Sequence, residues 1–156
     1  GKAGGPSVLV PIGADLVKML KRPEFWVTTK DATEHERRTL YLIYKRNLRL
    51  PFMEVFDQPD MQFSCARREQ STHAPQALEM LNGELSNKMA ASLAARLDRE
   101  ARSTGEQVDL AWRLATGRVP QAREKQLAVK FLTEKPGRLK EFALAVFNLN
   151  SFLYVE

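Results

Sequence analysis

The part of this sequence richest in reactive side chains is residues 54–76, which read EVFDQPDMQFSCARREQSTHAPQ. The segment holds several carboxylates, the only cysteine, an arginine pair and one of two histidines, between stretches that read as ordered. Loops carried by a rigid scaffold hold a large share of binding and catalytic residues. The segment is therefore the first candidate for a functional site, although it matches no catalytic or metal-binding signature.

Catalysis by this segment would need groups that act together. Asp57 could serve as a general base, but a lone carboxylate needs a partner to acquire a useful pKa. An ion pair with Arg67 or Arg68 is the favoured interpretation. Residues 71–73, Ser-Thr-His, invite a nucleophile and base, yet neighbouring residues rarely face one substrate, and a triad needs an orienting acid. We predict no catalytic residue and favour a non-enzymatic role, leaving the question of an enzyme open.

Ligand binding is the second possibility for these side chains. Arginine forks hold carboxylate, sulfate or phosphate groups, but the same forks serve internal ion pairs equally well. A side-chain amide such as that of Gln76 usually satisfies loop backbone groups. An anionic saccharide site would require the arginines to converge on an open concavity near Tyr41 or Tyr44. The candidate ligand-binding residues are Arg38, Arg46, Asp57, Arg67, Arg68 and Gln76.

The net charge of +5 is concentrated in one window, residues 37–49. The window has five basic residues and no acid, so the rest of the chain sums to zero; they are Arg37, Arg38, Lys45, Arg46 and Arg49. Such a patch can attract an anionic polysaccharide or an acidic neighbouring domain, and a solvated charged edge is the alternative. No nucleic-acid motif accompanies it, so nucleic acid is not expected as a partner.

Cysteine and histidine usage argues against bound metal or haem. Cys65 is the only cysteine, so it has no partner for an intramolecular disulfide. The favoured interpretation is a buried small residue. The alternatives are a reactive thiol and a disulfide to a part of the protein outside this sequence. With His35 and His73 the only histidines, no zinc or haem-attachment spacing exists. We predict no metal and no cofactor in this chain.

Length and hydropathy fit one ordinary globular domain. The chain has 156 residues, of which 44% are hydrophobic and 28% are charged. No apolar run reaches the ~18 residues that a membrane span needs. We predict a single domain over residues 1–156. Because the sequence opens at Gly1 without a methionine, we expect it to be part of a longer protein.

The N-terminal half is predicted to mix short helices with a strand. Residues 14–21 form a helix that Pro23 ends, and residues 51–56 form a brief helix behind Pro51. For residues 38–46 the patterns disagree, since the preceding Thr33-Glu34-His35-Glu36 could be a capping box that begins a helix. A strand is favoured because residues 40–44 are all apolar or aromatic.

The C-terminal half is predicted to be helical throughout. A short helix over residues 76–81 precedes a long one capped by Ser86, whose Met89, Leu93, Leu97 and Ala101 recur every four residues. Further helices cover residues 106–116, the stretch after Pro120 with Leu127, Ala128, Phe131 and Leu132 in the core, and residues 139–149. The predicted fold class is mainly α, a compact domain of five to six helices with one or two short β-strands in the N-terminal half.

Three ordered blocks carry a resemblance to a known family. They are RRTLYL running through KRN and FD to CARR over residues 37–68, APQAL with LN over residues 74–82, and LATGRVP at residues 114–120 with the terminal NLNSFLYVE. In this order the chain resembles the C-terminal domain of unknown function of secreted planctomycete-type proteins, which carry a cytochrome c-like module upstream. The resemblance spans nearly the whole chain from Gly4.

The resemblance implies location and partners, but no activity and no catalytic residues. It implies an extracytoplasmic protein, secreted or periplasmic, that is associated with polysaccharide-degrading functions. It also implies that this chain is a fragment with further domains upstream. The favoured hypothesis is a non-catalytic helical module that packs against those domains. The alternative is a module that binds anionic polysaccharide, or part of a carbohydrate-active enzyme completed by upstream domains. One departure is that Gln121 stands where the family often has a threonine cap, which predicts slightly weaker capping of the next helix.

Overall fold

A computed structural model describes residues 4–45, 48–59 and 74–154 of the chain. It divides the chain into two compact units, residues 1–71 and residues 72–156, which are described separately below. The prediction that residues 1–156 form a single domain stays a prediction. None of the helices in the described ranges is both long enough and apolar enough to cross a membrane.

The described residues form eight α-helices joined by turns and short 3₁₀ segments. The first unit contains α1 (Ala14–Met19) and α2 (Pro51–Val55), with 3₁₀ turns at Pro23–Phe25, Ala32–Glu36 and Thr39–Tyr41. The second unit contains α3 (Ala74–Asn82), α4 (Glu84–Glu100), α5 (Thr104–Thr116), α6 (Ala122–Glu134), α7 (Leu139–Phe147) and α8 (Asn150–Leu153). The main class is therefore α, as predicted.

The predicted β-strands are wrong, because the described residues contain no strand. In the run read as a strand, Thr39–Tyr41 is a 3₁₀ turn and Leu40 is 76% exposed. A strand needs a neighbour to pair its backbone along its length. Here Leu42 makes an isolated parallel bridge to Val8 and Lys45 makes an isolated antiparallel bridge to Leu48, and neither bridge is part of a strand. The capping-box reading of residues 33–36 was closer, since Ala32–Glu36 is a 3₁₀ turn whose first N–H groups are capped by Asp31.

The helices of the second unit enclose one hydrophobic core. Its fully or nearly buried members come from four helices: Leu97 on α4, Val108, Ala111 and Trp112 on α5, Ala128 on α6, and Phe142 and Val146 on α7. The Trp112 and Phe142 rings lie 6.1 Å apart between centroids. The four-residue stripe predicted for α4 is confirmed by buried Leu97. The core role predicted for Leu127 is wrong, since its side chain faces solvent.

Local signals set most helix ends of this unit. The Ser103 hydroxyl caps α5 by accepting the Glu106 N–H, and Gly117 ends it in the left-handed conformation that glycine adopts freely. Ser86 is not the cap predicted for α4, because that helix begins at Glu84 after Gly83. Ser86 is buried instead, and its hydroxyl donates to the Glu79 carbonyl at 3.3 Å.

Candidate functional site

The six predicted ligand-binding residues fall in different parts of the chain. Arg38 and Asp57 lie in the first unit and Gln76 lies in the second. Arg46, Arg67 and Arg68 lie outside the described residues, as do Cys65 and residues 71–73. The convergence of these arginines on an anionic saccharide therefore stays a prediction.

The three described candidates have distinct surroundings. Arg38 is exposed and precedes the Thr39–Tyr41 turn, where its carbonyl accepts the Tyr41 N–H at 2.9 Å. Asp57 is half-buried just after α2 and has a φ of 55°, in the left-handed region that aspartate tolerates better than most residues. Gln76 is half-buried on α3.

Arg37 is a buried cation that the sequence reading assigned to a surface patch. Its residue exposure is 6%, and its Nη1 donates to Glu34 Oε2 and to the Pro6 carbonyl, each at 2.9 Å. Its Nη2 donates to the Gly4 carbonyl, and its guanidinium stacks on the Tyr41 ring at 4.0 Å. The side chain thus clasps the N-terminal segment to the 3₁₀ turns.

This clasp changes the interpretation of the basic window. Arg37 is neutralised by Glu34 inside the first unit, so it is not offered to a partner. Arg49 is half-buried, while Arg38 is exposed. The described cations of this window are therefore divided between interior and surface.

A cleft of about 1000 Å³ opens in the second unit. One wall is the α5–α6 turn and the other is the end of α7 with α8. Most of the lining residues have small or polar side chains, and two have aromatic rings. They are Ala115, Thr116, Arg118, Gln121, Glu124, Asn148, Leu149, Asn150, Ser151, Phe152 and Tyr154. This cleft is taken as a candidate functional site because its walls are formed by described residues.

An ion pair joins the α5–α6 turn to the first turn of α6. Arg118 Nη1 donates to Glu124 Oε2 and Nη2 donates to Oε1, each at 2.7 Å, in the two-pronged geometry of the strongest arginine–carboxylate pairs. Glu124 also accepts the Gln121 N–H at 2.6 Å. The capping that we predicted to be weak for want of a threonine is therefore supplied by Glu124 from the third helical position.

Electrostatics keep this pair charged. Hydrogen bonding from Arg118 is the largest cause that lowers the pKa of Glu124, to about 2, and the Gln121 N–H adds to it. The Trp112 indole N–H lowers it slightly as well, although it is buried and makes no hydrogen bond of good geometry. The same pairing raises the pKa of Arg118. Glu124 is the one carboxylate among the lining residues, and a group with this pKa is a poor general acid or base near neutral pH.

The opposite wall of the cleft, which α8 forms, carries aromatic rings and polar side chains. Phe152 and Tyr154 are 37% and 48% exposed, and the Phe152 ring rests on Phe147 at 5.1 Å. Among the described residues, the side chains of Asn150, Ser151 and Tyr154 make no internal hydrogen bond. They remain available to an external ligand.

The sequence reading missed this cleft. The lining residues other than Gln121 and Glu124 lie in the third block that carries the family resemblance, where the sequence patterns predicted only helix ends. The available signal was an arginine six residues before a glutamate across the helix start at Gln121, which places the two side chains side by side. Among the described residues, no three histidine, cysteine, aspartate or glutamate side chains are grouped to hold a metal ion.

Fold and cleft together define a mainly helical protein with a polar surface cleft. Residues 2–132 match the family PSD1, described as a protein of unknown function (DUF1553). The chain belongs to this family. No curated protein and no solved structure matches the chain. The resemblance is thus confirmed for a domain of unknown function, whereas the planctomycete-type and C-terminal context stay predictions.

Proposed function

We propose that this chain is a non-catalytic helical module that docks against other domains of a larger extracytoplasmic protein. The observation that carries the proposal is the outward face of α3, which is apolar. The depressed pKa of Glu124 supports the non-catalytic part, since it removes the cleft's carboxylate from proton transfer near neutral pH.

Helix α3 buries Met80 and also presents apolar side chains on its outward face. Its exposed residues are mostly apolar and include Ala74, Ala77, Leu78 and Leu81, while Gln76 and Glu79 are half-buried. Leu78 is 58% and Leu81 is 46% exposed, and their i, i+3 spacing puts them on one face. A surface helix of a protein without a partner places such residues inward.

Leu78 and Leu81 could contribute much of the stability of an interface. Fully burying a leucine side chain contributes roughly 1.5–3 kcal/mol, so covering both would stabilise an interface appreciably. Leu85 at the start of α4 is also exposed and adds to the apolar surface near α3. Exposed apolar side chains grouped on a helix commonly mark a protein–protein contact. We take the partner to be a neighbouring domain of the same protein.

Site-specific photo-cross-linking in the full-length protein tests this docking. A benzophenone amino acid replaces Leu78 in one variant and Ser92, an exposed residue of α4, in the matched control. We expect the position 78 variant to form cross-links with residues outside the 156-residue chain, identified by mass spectrometry, and the control to form few. Equal yields from both positions, or cross-links from position 78 that stay within the chain, would overturn the proposal.

A second variant separates docking from folding. Leu78→Asp with Leu81→Asp places charges on the exposed face, so the melting temperature of the chain should hardly change. In the full-length protein the same change should make the linker to the neighbouring domain more accessible to protease. Unchanged protease sensitivity in a folded variant would count against α3 as the interface.

A further inference from the structure

We infer that the cleft between the α5–α6 turn and α8 is a binding site for an uncharged saccharide. The inference is independent of the docking face of α3. It rests on three features of the cleft: its charge is neutralised internally, one wall offers uncommitted hydrogen-bonding groups, and the same wall presents aromatic rings.

The charge of the lining residues points to a neutral ligand. Arg118 and Glu124 carry the two charges of the lining, and both guanidinium nitrogens of the fork are occupied by the carboxylate at 2.7 Å. Arg118 Nη1 also donates to the Val119 carbonyl at 3.0 Å. A sulfate or carboxylate ligand would have to displace Glu124 from this arginine, so the cleft has little to offer an anion.

The polar groups of the α8 wall fit hydroxyl groups. Asn150 supplies an amide that both donates and accepts, and Ser151 and Tyr154 supply hydroxyls that do the same. A sugar hydroxyl is likewise a donor and an acceptor, so each of these side chains can exchange paired hydrogen bonds with it. Asn148 is already partly committed, because its amide donates to the Leu144 carbonyl at 2.8 Å.

The aromatic rings supply the apolar contact. The C–H faces of a pyranose ring pack on aromatic side chains, which combine a flat apolar surface with a small entropy loss on binding. Phe152 is held by Phe147, and Tyr154 is nearly half exposed at the cleft. A site that mixes rings with a few placed polar groups is the common composition of small-ligand sites. The volume of about 1000 Å³ can admit several sugar units of a chain.

Backbone amide NMR titration tests the inference on the complete chain. The probes are the neutral hexasaccharides of cellulose, xylan and mannan, a sulfated hexasaccharide of chondroitin, and a pool of random dodecapeptides. We expect one neutral saccharide to shift the amide signals of Asn148–Tyr154 with a Kd on the order of 0.1–1 mM. This affinity should be nearly unchanged between about 20 and about 500 mM NaCl, since no charge pair forms.

Two variants locate the binding. Tyr154→Ala should weaken the affinity about tenfold, a difference of 1.4 kcal/mol. The control is Phe25→Ala, because Phe25 is an exposed aromatic residue of the first unit and lies outside every candidate site. If the amide spectrum of Tyr154→Ala shows that this variant is unfolded, Asn150→Ala serves as the cleft variant instead.

Several outcomes would overturn the inference. They are no response to any neutral saccharide, shifts confined to residues outside the cleft, equal effects of the Tyr154 and Phe25 variants, and stronger, salt-sensitive binding of the sulfated probe. Cleft shifts caused by peptides alone would assign the site to a peptide instead. Because none of these measurements involves α3 or other domains, failure here leaves the docking proposal standing.

Discussion

Arg118 holds both carboxylate oxygens of Glu124, each at 2.7 Å, across the turn that joins α5 to α6. Through Glu124 the same contact reaches the backbone N–H of Gln121 at the start of α6. One side-chain pair therefore closes the turn, caps a helix and sets the charge of the cleft.

Glu124→Gln should lower the stability of the second unit at neutral pH. The substitution keeps an oxygen for the Gln121 N–H but removes the charge that Arg118 binds. The pair is partly solvent-exposed, so the expected loss is on the order of 1 kcal/mol. Urea unfolding monitored by Trp112 fluorescence at pH 7 measures it.

The pH dependence of this effect has a definite direction. The ordinary pKa of a glutamate is 4.5 and that of Glu124 is about 2, so between these values the unfolded chain binds a proton that the folded chain does not. The contribution of Glu124 is complete above pH 4.5 and is lost as the pH falls to about 2. The wild type and Glu124→Gln should therefore converge in stability at acid pH. A gap that stays constant, or an equal effect of Glu134→Gln in the exposed pair with Lys130, would contradict this account.

Arg37→Met should loosen the first unit. The change removes the Arg37 guanidinium from the mostly buried Glu34 carboxylate and from the carbonyls of Gly4 and Pro6. Removing one partner of a buried ion pair costs about 3 kcal/mol. Hydrogen exchange of the Val8 and Ile43 amides, which pair with the Tyr41 and Val8 carbonyls, should become about 100-fold faster.

The control for this prediction is the adjacent Arg38→Met, which alters an exposed arginine. It should leave the exchange of the Val8 amide unchanged. Equal acceleration in both variants would mean that Arg37 acts through net charge and not through its buried contacts.

Alanine at two glycines should have opposite effects. A Cβ at Gly83 would lie 2.4 Å from the Glu79 carbonyl oxygen, so Gly83→Ala should destabilise the α3–α4 junction by about 1–3 kcal/mol. At Gly105 in α5 the nearest atom is Lys125 Cε at 3.9 Å, so Gly105→Ala should stabilise by about 0.5 kcal/mol through the unfolded chain. Thermal melts of the two variants give the signs, and a shared sign would refute the argument.

Leu97→Ala should destabilise the second unit more than the same substitution at an exposed leucine. Leu97 has no exposed surface, and cavities of this kind cost about 2–5 kcal/mol. Leu127→Ala removes the same atoms from a side chain that is 60% exposed, so it should cost little. Urea unfolding of both variants would show comparable losses only if Leu127 were part of the core, as its sequence spacing suggested.

The helices of the second unit were predictable because their signals are local. The four-residue recurrence through Leu97, the helix break at Ser103 and the terminator Gly117 act within a turn or two of the backbone. The strand predicted for residues 40–44 was wrong because a strand depends on contacts that are not local. An apolar run predicts burial, but a strand also needs a partner along its length, and only Val8 provides one bridge.

The candidate site was less predictable than the helices. Residue types drew attention to arginines and Asp57, whereas the cleft is built from Arg118, Glu124 and the α8 wall. Their importance depends on which groups are already paired, and pairing is decided by neighbours in space. The burial of Arg37 illustrates this, since the adjacent Arg38 has the same residue type and remains exposed.

By itself, the sequence determined the main helical class and the inward faces of α4 and α5, because periodicity acts over a few residues. The tertiary structure alone decided the burial of Arg37, the outward apolar face of α3 and the meeting of the α5–α6 turn with α8. These features join residues far apart in the chain, and only the packing of complete helices brings such residues together.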